Sequence, residues 1–343
     1  MRHRQIAAWF WQGVCWVALV WLGCCPAQAE AQAQAAFSGF DGSVVRFASV
    51  EEGRRVLMAD DDYIAATSDF QRSAFMRKEP PTTREEFLAF HRGVVMPWPA
   101  KSEAYWRATL ARLAPIFNAL KLRLPKEVLL INSDGGESDD EPYTRGHAIV
   151  LPGGGVGASA RHSDDELLTH ELFHVVSRHD PALATRLYAP LGFEPATPLH
   201  WPAQWLPLRI ANPDAPHDRH LMRTNVDGRD VALMPLLVAT RPQLDRDKRE
   251  TLSAVRDVRL LEVLPGRAGM PTTAVLRNGE LAWHTLDSSV KDYLARQGGN
   301  TPYMDNPEET MADNIAFLVS GREVPNPALL KRIKAVLLGE AAP

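Results

Sequence analysis

The stretch that decides the fold is Leu168-Thr169-His170-Glu171-Leu172-Phe173-His174. Its two histidines are four residues apart, so on a helix they project from the same face, one turn from each other. Such a pair suits a zinc ion, and Glu171 stands where a carboxylate can take a proton from a water molecule at the metal. The stretch therefore predicts a helix that carries a metal site together with a general base.

The residues before and within this stretch support a helix. Ser163 and Glu166 have the spacing of a capping box, which predicts that the helix begins after Ser163. Apolar residues then recur at helical spacing and predict one buried stripe: Leu167, Leu168, Leu172, Val175 and Val176. An amphipathic helix with two incidental histidines is the alternative, and the agreement of cap, stripe and motif favours the metal site.

A catalytic zinc takes three protein ligands, so a third must come from elsewhere in the chain. Asp180 would complete HExxHxxGxxD, the pattern of metzincin-like peptidases, but Ser177 stands where that pattern has the glycine that allows a sharp turn. The other candidate is Glu309, in a second helix that Asn306-Pro307 would begin. Acidic residues are also common in a first helical turn because they complement the helix dipole. The missing glycine favours Glu309.

An HExxH motif followed by a distant ExxxD helix resembles the gluzincins, the thermolysin-like clan of zinc metallopeptidases. The resemblance implies that His170, His174 and Glu309 are zinc ligands, that Glu171 is the general base, and that Asp313 is the carboxylate behind a ligand histidine. The wording around both motifs is similar to that of exported bacterial proteins described as zinc-dependent peptidases. In those proteins we expect histidine where this chain has Asn306.

The expected fold class is α+β with a zincin-like catalytic core, in which a sheet packs on the HExxH helix and a second helical half carries ExxxD. A β-rich insertion separates the two halves of the metal site, and we expect it to form a wall or lid of the cleft. We divide the chain into residues 1–29 as signal peptide, 30–100 as linker and N-terminal helical lobe, 101–197 as zincin core, 198–286 as β-rich insertion, and 287–343 as the C-terminal helical part.

Periodicity and turn signals place the main elements. We expect helices at 102–120, 288–297, 307–320 and 327–338, and strands at 127–132 and 147–151. The strand at 147–151 is our candidate edge strand, which would bind substrate backbone as an added strand. Asp227-Gly228 and Asn278-Gly279 predict two hairpins, one joining 220–226 to 229–237 and the other joining 273–277 to 280–284.

Three other features of the sequence are a tyrosine before the second helix, a glycine-rich segment and four isolated histidines. Two roles fit Tyr303, six residues before Glu309: its hydroxyl donates to a developing oxyanion, or its ring packs under the helix start. The glycine-rich residues 153–157 lack the lysine and serine or threonine of a phosphate loop and predict a flexible loop over the cleft. The histidines without ligand spacing are expected to be surface or hydrogen-bonding residues: His200, His217, His220 and His284.

The amino terminus has the three parts of an export signal. A basic start precedes an almost wholly apolar run at residues 6–22, and Ala27-Gln28-Ala29 predicts cleavage after Ala29. The expected location is therefore the periplasm or the medium. Gly23-Cys24 also allows lipid attachment, although Trp21 stands where a lipobox has an aliphatic residue. All three cysteines lie in this leader, so we expect a mature protein without disulfides.

Composition is that of a globular protein, with 45% hydrophobic and 23% charged residues. A net charge of −4 and the lack of a dense basic block argue against nucleic acid as a partner. Membrane contact is expected only through the leader or a lipid anchor. Two functions remain: a zinc hydrolase of peptides or of another amide, and a noncatalytic zinc-binding envelope protein. Glu171 favours the hydrolase, because a structural zinc site has no use for a base.

Overall fold

The computed structural model describes residues 36–157, 159–245, 247–267 and 269–340. The predicted leader, with its cleavage site and cysteines, lies outside these residues. From Ala36 onward the chain forms one compact unit. None of the helices in the described part is long and apolar enough to cross a membrane.

The described residues form a mixture of helices and sheets, which confirms the α+β class. The α-helices are α1 (Val50–Leu57), α2 (Asp62–Ala66), α3 (Asp69–Phe75), α4 (Arg84–Val94), α5 (Ala100–Ala119), α6 (Asp164–His179), α7 (Pro181–Tyr188), α8 (Lys291–Arg296), α9 (Pro307–Ser320) and α10 (Pro327–Leu338). A short 3-10 helix at Ser288–Val290 precedes α8, so the helix predicted at 288–297 is divided in two.

The strands belong to two larger sheets and one small hairpin. They are β1 (Ala36–Phe37), β2 (Val44–Phe47), β3 (Val95–Met96), β4 (Glu127–Ser133), β5 (Tyr143–Arg145), β6 (Ala148–Pro152), β7 (Phe193–Pro195), β8 (His220–Val226), β9 (Arg229–Ala239), β10 (Arg256–Leu264), β11 (Thr273–Ala274), β12 (Leu276–Arg277), β13 (Glu280–Leu281) and β14 (Trp283–His284).

The first sheet lies next to α6 and has the order β1-β2-β4-β6-β5, with β3 also paired to β4. Strands β2, β4 and β6 are parallel, and β5 runs antiparallel to β6 at the edge. The prediction that residues 147–151 form the edge strand is therefore wrong. The chain turns at Gly146, so the short β5 covers the outer side of β6, and all five residues of β6 are buried.

The second sheet has the order β11-β10-β9-β8-β7, and β14 also pairs with β10. The hairpin predicted at Asp227-Gly228 is confirmed, with both turn residues at positive φ. The second predicted hairpin is divided. Only β12 and β13 pair around Asn278-Gly279, because β11 and β14, which flank them, both pair with β10 instead.

Helix α6 packs between the first sheet and α9. The main hydrophobic core contains Trp106 and Phe117 from α5, Leu172 from α6, and Met311 and Ile315 from α9, all almost fully buried. Because α6 and α9 are in contact along their length, side chains on their facing turns meet in the interior. This packing brings residues that are far apart in sequence into one site.

Candidate metal centre

Three side chains from α6 and α9 converge at a buried point. His170 Nε2 lies 3.0 Å from Glu309 Oε2, and His174 Nε2 lies 3.5 Å from the same oxygen. One ligand atom from each of the three residues lies within 4.8 Å of the others. His170, His174 and Glu309 are 5%, 0% and 1% exposed. A buried group of two imidazoles and a carboxylate at this spacing can hold a metal ion.

Local sequence explains where these side chains stand. The Ser163 hydroxyl accepts the Glu166 N–H, and the Glu166 carboxylate accepts the Ser163 N–H, which together fix the start of α6. At α9, the Asn306 side chain accepts the Glu309 N–H at 2.9 Å. The cap therefore acts directly on the residue that carries the third carboxylate.

The structure brings Glu309 rather than Asp180 to the histidines. Helix α6 continues through Ser177 to His179, so the chain does not turn back toward the cluster there. Asp180 instead caps α7, accepting the Leu183 N–H at 2.9 Å. Asp180 therefore lies at the start of α7, and it is not part of the group formed by His170, His174 and Glu309.

Asp313 lies one turn beyond Glu309 and holds His170 from the other side of the ring. Its Oδ1 atom accepts from His170 Nδ1 at 2.8 Å and lies 2.9 Å from His162 Nε2. Its second oxygen accepts from the Thr301 hydroxyl. With Nδ1 donating to Asp313, Nε2 of His170 is the nitrogen that faces Glu309.

The ring of His174 is fully buried, yet neither of its nitrogens has a hydrogen-bond partner within the described part of the chain. Buried imidazole nitrogens are normally paired, and an unpaired one is costly. A bound metal ion would satisfy Nε2, which lies 3.5 Å from the Glu309 carboxylate. The donor set of two histidines and one glutamate also matches the ligands that zinc takes in hydrolases. The residues present therefore fit a metal.

The charges of the cluster are strongly linked. Burial disfavours the charged form of Glu309. Contact with His174 and His170 outweighs this effect and holds the pKa of Glu309 well below its ordinary value. Conversely, the hydrogen bonds to Asp313 and Glu309 outweigh the burial of His170 and raise its pKa well above its ordinary value. A metal cation at the cluster would compete with protons for the imidazole nitrogens and the carboxylate oxygen.

Glu171 lies beside the cluster and is 3% exposed. Its Oε2 atom accepts a hydrogen bond from the Thr144 hydroxyl of β5 at 2.8 Å. Burial, reinforced by the nearby Asp214 carboxylate, raises the pKa of Glu171. A carboxylate in this setting can take up and release a proton near neutral pH.

The segment before β8 also contributes side chains to the site. Asn212 donates from Nδ2 to Glu309 Oε1 at 2.5 Å, and Asp214 accepts the Thr144 N–H at 2.7 Å. Arg178 donates to the Pro213 carbonyl at 2.6 Å and lies 3.7 Å from Asp214. The Thr144 N–H, at the centre of edge strand β5, thus already donates a hydrogen bond to the Asp214 carboxylate.

A cleft of about 320 Å³ leads to this cluster and is lined by His162, His170, Glu171, Tyr303 and Glu309, among others. The Tyr303 ring lies parallel to that of His170, with 6.2 Å between ring centroids. The Arg161 guanidinium lies over the Tyr303 ring, 4.3 Å from the ring centroid. Tyr303 therefore lines the cleft beside His170.

Four residues of the site were missed by sequence reasoning: Thr144, His162, Asn212 and Asp214. Each comes from a loop or a short strand with no regular spacing to either motif. His162 had a weak signal, because it directly precedes the Ser163 cap and so lies near the helix start. His162, His170 and Asp313 also form a second group whose ligand atoms lie within 4.8 Å of one another.

The other predicted histidines lie away from the cluster. His217 is 3.4 Å from Asp62, His220 is 2.9 Å from Glu308, and His284 is 3.0 Å from Glu262. His200 is exposed. None of the four belongs to a potential metal-binding group within the described residues.

Comparison with known proteins adds no relative: no family model, no curated protein and no solved structure matches the chain significantly.

Proposed function

We propose that this protein is an exported zinc-dependent hydrolase that cuts peptide bonds, with a zincin-like core of gluzincin type. The observation that carries the proposal is the meeting of His170, His174 and Glu309 from two distant motifs, with Glu171 beside them. Two histidines and a glutamate are the ligand set of the thermolysin type of catalytic zinc.

Zinc at this cluster would be held by His170 Nε2, His174 Nε2 and the Glu309 carboxylate. When bound, such an ion supplies Lewis-acid chemistry: it makes a water molecule more acidic and polarises a carbonyl group. Asp313 would keep the His170 ring oriented through Nδ1, and Asn212 would orient Glu309 through Oε1.

Glu171 is the proposed general base. Its carboxylate would take a proton from the attacking water at Oε1 or Oε2 and would then give that proton to the departing amine. The Thr144 hydroxyl holds Oε2 in place, and the raised pKa of Glu171 suits a group that must both accept and return a proton. Burial of the cluster supports the same role, because it limits bulk water at the reacting atoms.

The test compares the wild-type protein with Glu171→Gln on a broad peptide library, with and without zinc. Zinc binding should persist in the variant because no proposed ligand changes, while cleavage should fall roughly 10²- to 10⁴-fold. Glu323→Gln, the same change at an exposed site away from the cleft, is the control and should retain full activity. One equivalent of zinc with no cleavage that depends on Glu171 would favour a noncatalytic zinc protein or a non-peptide amide substrate.

A further inference from the structure

A second pocket, here called the side pocket, opens next to the cleft. The two share five lining residues: Asp139, Glu141, Pro142, Asp214 and Tyr303. The side pocket therefore adjoins the region where a scissile bond would lie. Its walls include four apolar side chains: Phe75, Ile210, Leu237 and Leu252. Four carboxyl groups also line it: Glu137, Asp139, Glu141 and Asp214.

Glu137 is the unusual member of this lining. It is 1% exposed, and its Oε1 atom accepts from the Tyr143 hydroxyl at 3.2 Å. Its Oε2 atom is buried and has no hydrogen-bond partner within the described residues. Burial raises the pKa of this carboxyl, and its contacts with Ser133 and Tyr143 only partly oppose that effect. An unpaired buried carboxylate oxygen is costly, and a ligand that pairs with it would remove that cost.

The basic residue that lines the side pocket, Arg256, does not pair with Glu137. Arg256 pairs with Glu141, with Nη1 3.1 Å from Oε2. No basic side chain of the described chain forms an ion pair with Glu137, whose partners are neutral. The lining thus contains more carboxyl groups than basic groups, next to an apolar wall.

We infer that the side pocket binds the basic side chain, lysine or arginine, of a residue near the cleaved bond of a peptide. Both side chains combine an aliphatic stem with a cationic end, which matches apolar walls and a buried carboxylate. An acidic side chain would be repelled by Glu137, and a neutral apolar one would leave Oε2 unpaired. The inference rests on the proposed hydrolase and names its substrate class.

The experiment uses peptides that are identical except at one position, which carries lysine, arginine, norleucine or glutamate and is moved along the residues that flank the cut. Lysine and arginine should exceed norleucine in kcat/KM by roughly tenfold or more at one position, and glutamate should be the poorest. Glu137→Gln should remove most of that preference, whereas Glu323→Gln should retain it. Each peptide is tested with a free and with an acetylated N terminus. If acetylation removes the preference, the pocket binds an α-ammonium group rather than a side chain, and the inference is overturned.

Binding is measured separately by calorimetry in Glu171→Gln, which should bind without turnover. Cleavage without a basic preference, or with a preference that survives Glu137→Gln, would overturn the side-pocket inference and leave the hydrolase standing. Binding of lysine peptides that depends on Glu137, with no cleavage by the wild type, would support the pocket and overturn the hydrolase. Neither binding nor cleavage would overturn both. If Glu137→Gln does not fold, Asp139→Asn at the more exposed edge of the same lining should reduce the preference in its place.

Discussion

In the proposed zinc site, Asp313 would orient a ligand histidine without binding the metal itself. Its Oδ1 atom accepts from His170 Nδ1 at 2.8 Å, which fixes both the orientation of the ring and the nitrogen left for a ligand. Asp313→Ala should weaken zinc binding roughly 10- to 100-fold, measured by competition with a chelator. Asp313→Asn keeps an acceptor oxygen and should lose less. Equal zinc affinity in Asp313→Ala and the wild type would contradict this role.

Tyr303 provides a test at the cleft itself. Its ring lies parallel to His170 and under the Arg161 guanidinium, and these contacts do not need the hydroxyl. If the hydroxyl donates to the developing oxyanion, Tyr303→Phe should lower kcat roughly 10²-fold and leave zinc affinity unchanged. Steady-state kinetics with calorimetry separates the two effects. An unchanged kcat would show that Tyr303 has a packing role and no catalytic one.

At the residue scale, the sequence predicted side chains that occur in motifs and missed those that do not. His170, Glu171 and His174 share one helix, and Glu309 and Asp313 share another, so helical spacing alone places each set on one face. Thr144, Asn212 and Asp214 come from segments that reach the site only through tertiary packing. Nothing in their spacing predicts that packing.

Two asparagine caps allow the start of α9 to be tested against a matched helix. Asn306 accepts the Glu309 N–H at 2.9 Å, and Asn326 accepts the Leu329 N–H at 3.1 Å at the start of α10. Each change to alanine should lower the free energy of unfolding by about 1 kcal/mol. Only Asn306→Ala should also weaken zinc binding, because only that cap positions a cluster carboxylate. Urea titration and a zinc competition assay measure the two effects, and equal zinc affinity in both variants would contradict the proposal.

Elements with strong end signals were predicted well. Helices α9 and α10 match their predicted bounds, because each has an Asn-Pro start and a glycine at its end. The order of strands in the first sheet was not predicted. Residues 147–151 form an apolar run, and such a run fits a strand at an edge or in the interior, so only the turn at Gly146 and the pairing of β5 decide the matter.

The stability of the whole molecule should depend on one buried histidine outside the site. His91 is 1% exposed, and neither ring nitrogen has a hydrogen-bond partner among the residues described. Burial lowers its pKa from 6.5 to about 3. The folded state therefore stays neutral while the unfolded state takes up a proton below pH 6.5. Stability from this group is complete above that pH and is lost as the pH falls.

The loss should be at most about 1.4 kcal/mol for each pH unit in that window. Unfolding by urea between pH 7 and pH 4 should show a smaller pH dependence in His91→Leu than in the wild type. His200→Leu, at an exposed histidine, is the control and should follow the wild type. An identical slope for His91→Leu and the wild type would show that protonation of His91 does not limit stability in acid.

At the scale of the whole molecule, the sequence indicated a sheet, a motif helix and a β-rich region before the second motif helix. It also indicated that the β-rich region forms a wall or lid of the cleft, but not that the segment between Leu208 and His220 is the part that supplies side chains to the site. Asn212 and Asp214 reach Glu309 and Thr144 from there, because this segment lies between the second sheet and the cleft. Contacts of that kind depend on how the two sheets pack, which local patterns do not encode.

The position of the metal is the most direct test of the central claim. Crystals of the zinc-loaded protein, measured on both sides of the zinc absorption edge, should show one anomalous peak about 2.0–2.2 Å from His170 Nε2, His174 Nε2 and a Glu309 oxygen. The structure offers a competing group in His162, His170 and Asp313, on the other side of the same ring. A peak at that second group, or no peak at either, would contradict the account.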